Sequence, residues 1–339
     1  MTDKVQIRSF DEFLGNTHPI SVLKRASEKN SRTLGHAYLL HGTAGTGKKT
    51  LAALTAAALV CTGEGSRPCG ECPSCRKIAS AFGHPDVLFF RTPEGKTQFP
   101  VELIREIRRQ AYILPNESEK KIIVIENAEM MNAASANALL KVLEEPPEHI
   151  VFLLTCDNLS ALPETIPSRC ICLETHEVSL RKAENYLVRR FPDETADRLA
   201  SALLCGSGNI GISLQFLSDE KMEKCFHDAV ALSRVLVSGK EYDLLTILSG
   251  YERDRKRFAL LLRLLDRLMG QVARTAFLPE FSLQAGGQEI AALSARLSPD
   301  KAAKIHLLTG EMNDALKANV SLSLMIAYFS SQLKAIAEQ

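Results

Sequence analysis

The sequence predicts an α/β domain with a parallel five-stranded sheet over residues 1–175, followed by helices to the C-terminus. Three features predict it. A glycine-rich loop, Gly42-Thr43-Ala44-Gly45-Thr46-Gly47-Lys48-Lys49, lies between an apolar run and an Ala/Leu-rich run. Short apolar runs over residues 37–173 lack a two-residue alternation, as parallel strands covered on both faces do. Beyond about residue 176 such runs stop, and Leu, Ala and Ile recur at helical spacing with charges between them.

Ala37–His41 reads as the first strand, and Leu51–Val60 as the helix after the loop, because Ala and Leu are strong helix formers. Val87–Phe90 and Ile122–Ile125 read as further strands. The segment Asn137 to Pro147 is helical, with Leu139, Leu140 and Leu143 on one face and Pro146-Pro147 ending it. Ile150–Thr155 and Ile171–Leu173 complete a sheet whose right-handed crossovers make it doubly wound. In the second half Leu180–Arg190, Ala196–Leu204, Arg255–Phe277 and Ala302–Lys317 show helical spacing, and Gly206-Ser207-Gly208-Asn209 separates two helices. Residues 176–217 therefore read as a small helical domain and 218–339 as a helical bundle.

Charge is balanced. Across 339 residues, 41 lysines and arginines face 40 acids, giving a net charge of +1, so no global basic field marks a nucleic-acid binder and any DNA contact is local or shared with partners. Met1-Thr2-Asp3-Lys4-Val5-Gln6 lacks the build of a signal peptide, and no apolar run approaches the length of a bilayer span. A cytoplasmic protein without a membrane partner is expected, and there its nine cysteines are thiols or metal ligands rather than disulfides.

The loop reads as a phosphate-binding P-loop until its last residue. In such a loop backbone N–H groups and the helix N-terminus hold phosphates, the Lys reaches the terminal phosphates, and the next residue, Ser or Thr, ligates Mg²⁺. Gly42, Gly45, Thr46, Gly47 and Lys48 fit these roles, but Lys49 stands at the hydroxyl position and cannot ligate a cation. Thr50 lies one residue further on, turned by roughly 100° about the helix axis, and should miss the metal. The loop is suited to ATP or ADP, with Mg²⁺ offered an incomplete ligand set.

Cys61, Cys69, Cys72 and Cys75 form a C-x7-C-x2-C-x2-C arrangement on a Gly/Pro-rich excursion after the loop helix. Four closely spaced thiolates suit tetrahedral Zn²⁺ and leave no coordination position for water, so a structural zinc is expected. The other cysteines, Cys156, Cys170, Cys172, Cys205 and Cys225, are scattered and read as small core residues.

The strand Ile122–Ile125 runs into Glu126-Asn127. A working ATPase of this type would end the strand in Asp-Glu, the Asp serving Mg²⁺ and the Glu polarising water. Glu126 still offers a carboxylate to a metal, but Asn127 has no basic oxygen to activate water. Downstream, Ser168-Arg169-Cys170 follows the Pro-bounded stretch Leu162 to Pro167. Arg169 is either a solvated surface residue or a rigid guanidinium offered to a neighbour's phosphate.

The altered P-loop, the cysteine insert, the Asn137 to Pro147 segment and Ser168-Arg169-Cys170 together resemble the delta-prime family of bacterial DNA polymerase III clamp-loader subunits. The resemblance is specific over about residues 8–175. It implies an AAA+ protein of three domains: a nucleotide-binding-like domain carrying the zinc module at 61–75, a helical lid over 176–217, and a collar over 218–339 that assembles a hetero-pentameric ring with gamma/tau and delta subunits. It implies action on a sliding clamp and primer-template DNA through that complex, weak or absent ATPase activity of the chain itself, and Arg169 as an arginine finger in trans. Asn209 stands where motor subunits place a phosphate-contacting Arg. An active gamma/tau-type motor is the alternative within the family; a stand-alone zinc-containing nucleic-acid module is the alternative outside it.

Overall fold

The structure, a computed structural model, describes residues 9–29, 31–80, 83–93, 96, 98–238, 241–275 and 287–338. Residues 1–6, read above for a leader, and Ala276-Phe277 of the expected helix 255–277 lie outside the described residues. The chain divides into two compact units, Met1–Val178 and Ser179–Gln339.

The first unit holds the sheet. Strands β1 (Ala37–His41), β2 (Val87–Phe90), β3 (Lys121–Ile125), β4 (Ile150–Cys156) and β5 (Ile171–Glu174) all pair in parallel, in the order β2-β3-β4-β1-β5. This is the parallel five-stranded sheet that the sequence implied, and the strand bounds agree with the expected ones to within a residue at either end. Alternate residues of each central strand point to opposite faces. Leu39, Ile123, Ile125, Phe152 and Leu154 pack on one side with Ile104 and Ile107 of α4 (Val101–Ala111) and Leu139, Val142 and Leu143 of α5 (Ala133–Glu144). Tyr38, Leu40, Ile122, Val124, Val151 and Leu153 pack on the other with Leu23 of α1 (Thr17–Ala26) and Leu51, Ala52 and Leu54 of α2 (Lys48–Leu59). Each such Leu or Ile, removed wholly from water, contributes about 1.5–3 kcal/mol.

Three expectations need correction. Only β1, β3 and β4 are covered on both faces; β2 and β5 are edge strands, and Phe89 and Ile171 are exposed. Cys172 shares that exposure on β5 and is no core residue, whereas Cys156, Cys205 and Cys225 are buried and Cys170 is partly so. The loop helix starts at Lys48 rather than Leu51, because Gly47 with φ +89° turns the chain directly into it. A short helix, α3 (Pro73–Ala79), lies in the cysteine insert.

Among the described residues the second unit is helical throughout: α6 (Leu180–Arg190), α7 (Ala196–Gly206), α8 (Ile210–Ser218), α9 (Glu220–Ser238), α10 (Glu241–Ser249), α11 (Arg255–Thr275), α12 (Gly287–Ser294), α13 (Pro299–Lys317) and α14 (Leu322–Glu338). Ser207 (φ +49°) and Gly208 (φ +88°) break α7 from α8. Helix α11 buries Phe258, Leu261, Leu262, Leu265, Leu268, Met269 and Val272, a helical stripe that faces α9 and α13. It also reaches α7: Arg267 donates to Gly206 O at 3.1 Å, and Gln271 to Leu204 O at 2.9 Å. No helix among the described residues is long and apolar enough to cross a membrane.

Candidate functional site

A parallel sheet places the residues that follow its strands along one edge. Gly42 follows β1, Glu126 follows β3, Asp157 follows β4 and Thr175 follows β5, so the loop over 42–47 meets all of them at the carboxyl edge, where ligands of such folds bind. The glycines are required. Gly42, Gly45 and Gly47 have φ of +137°, +86° and +89°; a Cβ on Gly42 would lie 2.2 Å from Thr175 O, and one on Gly47 2.6 Å from the Phe13 ring.

Thr46 is drawn into the loop's own support. Its hydroxyl lies 2.9 Å from Thr43 O and 2.7 Å from the Thr175 hydroxyl, which in turn is bonded to His41 O at 3.1 Å. Lys48, only 4% exposed, donates to Gly42 O and Thr43 O at 2.7 Å each and pairs with Asp157 Oδ1 at 2.8 Å. The buried ammonium is thereby satisfied and fixed at the mouth of the loop.

Lys49 takes a different path. Its ammonium lies 2.8 Å from Glu126 Oε2, the Lys 55% exposed and the Glu 15%. Glu126 is anchored by its own N–H, which donates to Phe90 O at 2.8 Å. Asn127, at φ +56°, turns its amide to Glu129 Oε1 at 3.2 Å, while its N–H donates to the Thr155 hydroxyl. Glu129 also faces Cys156, whose thiol is pushed up to about 12 by burial and by that negative charge. Thr50 lies half-buried on α2, next along the helix. The residue set fits a polyphosphate, with backbone donors and one fixed ammonium; it does not fit Mg²⁺, because the hydroxyl ligand is missing and an ammonium lies against the acid.

Arg169 ends a 3-10 turn over Pro167–Arg169, which Pro167 opens with its fixed φ. Its guanidinium donates to Thr165 O at 3.0 Å and to the Ser168 hydroxyl at 3.2 Å, and pairs with Glu144 Oε1 at 2.5 Å. None of these three partners belongs to loop residues 42–50.

In the insert, the sulfurs of Cys61, Cys69, Cys72 and Cys75 all lie within 4.8 Å of one another. The Cys61–Cys72 and Cys69–Cys75 separations are 3.9 and 4.0 Å, close to the roughly 3.8 Å edge of a tetrahedron with 2.3 Å zinc–sulfur bonds. Backbone N–H groups of Cys69, Cys72 and Cys75 point at the sulfurs of Cys61, Cys69 and Cys72. Burial opposes ionisation of Cys72, yet the Cys75 N–H and Thr62 outweigh it and draw the thiol down to about 5, while burial pushes Cys75 up. Cys72 also caps α3, with Pro73 at its first position. The donor set fits zinc.

Asp157, Thr175 and Glu144 were not picked out from the sequence. For the first two a signal existed: each is a polar residue at the end of a strand flanking or adjoining the loop strand. Glu144 gave none, since two adjacent acids before two prolines look like a solvated helix end. Asn209, singled out in the sequence, is buried, and its side chain accepts the Ile212 N–H to cap α8.

A family model described as "DNA polymerase III, delta subunit" matches residues 15–179. A DNA polymerase III subunit delta' of Pseudomonas aeruginosa is 36% identical over 179 residues, covering 51% of this chain and 53% of that protein. A subunit gamma of Buchnera aphidicola subsp. Schizaphis graminum is also 36% identical, over 53% of this chain and 48% of its own length. A subunit tau of Escherichia coli K12 is 36% identical over 48% of this chain and 25% of its own length. The chain spans about half the length, or less, of these curated relatives. Its sheet-bearing unit resembles DNA polymerase III subunits of both kinds.

Proposed function

We propose that this chain is a delta-prime subunit of a bacterial DNA polymerase III clamp loader, working in the cytoplasm during DNA replication. Identity does not separate the candidates, because the delta' and the gamma and tau relatives match equally, at 36%. The chemistry of the site favours the first. The observation that carries the reading is the Lys49–Glu126 ion pair at 2.8 Å beside an Asn127 turned to Glu129. Metal position and water-polarising position are both changed in one site, so the chain is not a self-sufficient motor.

In the proposed complex, gamma/tau and delta subunits complete a hetero-pentameric ring, and the clamp and primer-template DNA are met through that ring. The lid would occupy residues 176–217 and the collar 218–339. Arg169 would serve a neighbour's ATP. Its guanidinium sits on a short rigid turn, and its pair with Glu144 keeps it oriented until a more highly charged phosphate competes for it. Zinc, held by Cys61, Cys69, Cys72 and Cys75, would close the excursion between α2 and β2 and supply folding energy rather than chemistry.

Reconstitution with partner subunits tests this. The unmodified chain should join the ring while showing negligible ATP turnover alone, and Arg169→Ala should lower DNA-stimulated hydrolysis and clamp loading by the assembled ring. The alternative, an active gamma/tau-type motor, draws support from the intact Gly42, Gly45, Gly47 and Lys48. It requires turnover by the purified chain that Lys48→Ala abolishes.

A further inference from the structure

We infer that residues 42–49 form a nucleoside-polyphosphate site that works without a divalent cation, the Lys49 ammonium standing beside Glu126 where a metal would. The inference rests on reading the loop as a nucleotide site and goes beyond it by specifying the ionic form the loop accepts.

A P-loop recruits its metal with two protein oxygens: the hydroxyl that follows the Lys, and an acid at the end of an adjoining strand. In this chain the acid is present and the hydroxyl is replaced by a cation that the acid already binds. Lys49 Nζ lies 2.8 Å from Glu126 Oε2. An ammonium brings three donors and no acceptor, so it cannot share a metal with Glu126, and a metal arriving there would meet both a lost ligand and a fixed positive charge. The Thr46 hydroxyl is bonded to Thr43 O and lies against the Thr175 hydroxyl, and Asn127 brings an amide whose nitrogen is bonded to Glu129.

Part of the charge that a metal would carry is supplied by the protein. Lys48 is held at the loop mouth by Gly42 O, Thr43 O and Asp157, and Lys49 is held at its side by Glu126. Lys49 adds one positive charge where a metal would bring two, and it needs no recruitment from solution. Both lysines bring hydrogen-bond donors for phosphate oxygens, but no Lewis acid, so binding and hydrolysis are separated by the residues themselves. The exposed Lys49 can exchange its carboxylate for a phosphate oxygen by a small side-chain movement.

The test is calorimetric titration of ATP into the purified full-length chain, in buffers freed of divalent cations by resin so that a chelator does not strip the cysteine module. The titration is done with and without added Mg²⁺. The expected result is a Kd that changes by less than about twofold on adding Mg²⁺, whereas Lys49→Thr, which restores the hydroxyl, gains about tenfold or more from Mg²⁺. Glu126→Gln should leave ATP binding metal-indifferent. Mg²⁺ strengthening binding to the unmodified chain tenfold, or Lys49→Thr staying indifferent to it, overturns the inference while leaving the nucleotide reading intact. Absence of ATP binding in both arms overturns the two together. Lys49 is largely exposed, so its replacement should fold; circular dichroism of both variants checks this.

Discussion

Glu144 and Arg169 meet in a 2.5 Å ion pair that joins the last residue of α5 to the 3-10 turn before β5. Both side chains are partly exposed, so the pair itself is worth about 1 kcal/mol or less. Arg169→Ala should therefore leave the melting temperature of the isolated chain nearly unchanged. In the reconstituted ring it should lower turnover at the served site by about a thousandfold, diluted in the total by unaffected sites. Unchanged hydrolysis and clamp loading in a ring that still assembles would remove the arginine from the mechanism.

Metal content gives a second expectation. Protein purified without added zinc should carry about one Zn²⁺ per chain, as a closed set of four thiolates requires. Cys72→Ser combined with Cys75→Ser should lose it and unfold the excursion between α2 and β2, seen as faster hydrogen exchange there. Metal retained at full stoichiometry in that variant would mean that the ion sits elsewhere.

Asp86 supplies a pH-dependent part of stability. It is 0% exposed and accepts the N–H groups of Asn116, Glu117 and Ser118 at 2.6, 2.8 and 2.9 Å. Burial raises its pKa, but those donors outweigh it and the net direction is down. A carboxyl depressed in the folded state stabilises above its unfolded value of about 3.9, and that contribution is lost as pH falls through the folded value. Asp86→Asn should cost about 1–3 kcal/mol at neutral pH, because an amide cannot accept all three donors, and the loss should shrink in acid. Denaturant melts of both forms at neutral and acid pH measure it; a cost that does not fall with pH would show that ionisation is not its source.

Gly42 is a stricter test of the loop. Gly42→Ala places a Cβ 2.2 Å from Thr175 O at a φ of +137°, a conformation and a contact that each oppose a side chain. A loss of about 3 kcal/mol is expected, with nucleotide binding weakened in step. Wild-type thermal stability in this variant would mean that the loop has room to shift.

The sheet was readable because its central strands are largely apolar runs ending in glycine or an acid, and each strand bound held to within a residue. Edge exposure was not readable: β2 and β5 are as apolar in sequence as the central strands, and only the strand order leaves Phe89, Ile171 and Cys172 on an open side. The cysteine cluster was legible from spacing alone, since ligand spacing is a local property. Lys49 was legible as a missing hydroxyl but not as a partner of Glu126, because 77 positions of sequence separate residues that the β1 and β3 ends bring side by side. The same holds for Lys48 with Asp157 and Arg169 with Glu144, pairs that tertiary structure alone creates.

Arg267 and Gln271 of α11 bond the last carbonyls of α7, at Gly206 and Leu204. Gly206 O also accepts the Asn209 N–H at 2.9 Å, so the end of α7 is satisfied both by the next turn of chain and by the neighbouring bundle. Helices α7 and α11 joined in this way do not tilt independently. Tilting α7 would break both bonds and leave the buried Leu204 carbonyl without its Gln271 donor, or drag α11 with it, and α11 is packed against α9 and α13. A displacement of α7 is thereby handed to α11, and through it to α9 and α13, instead of being absorbed at the break between α7 and α8.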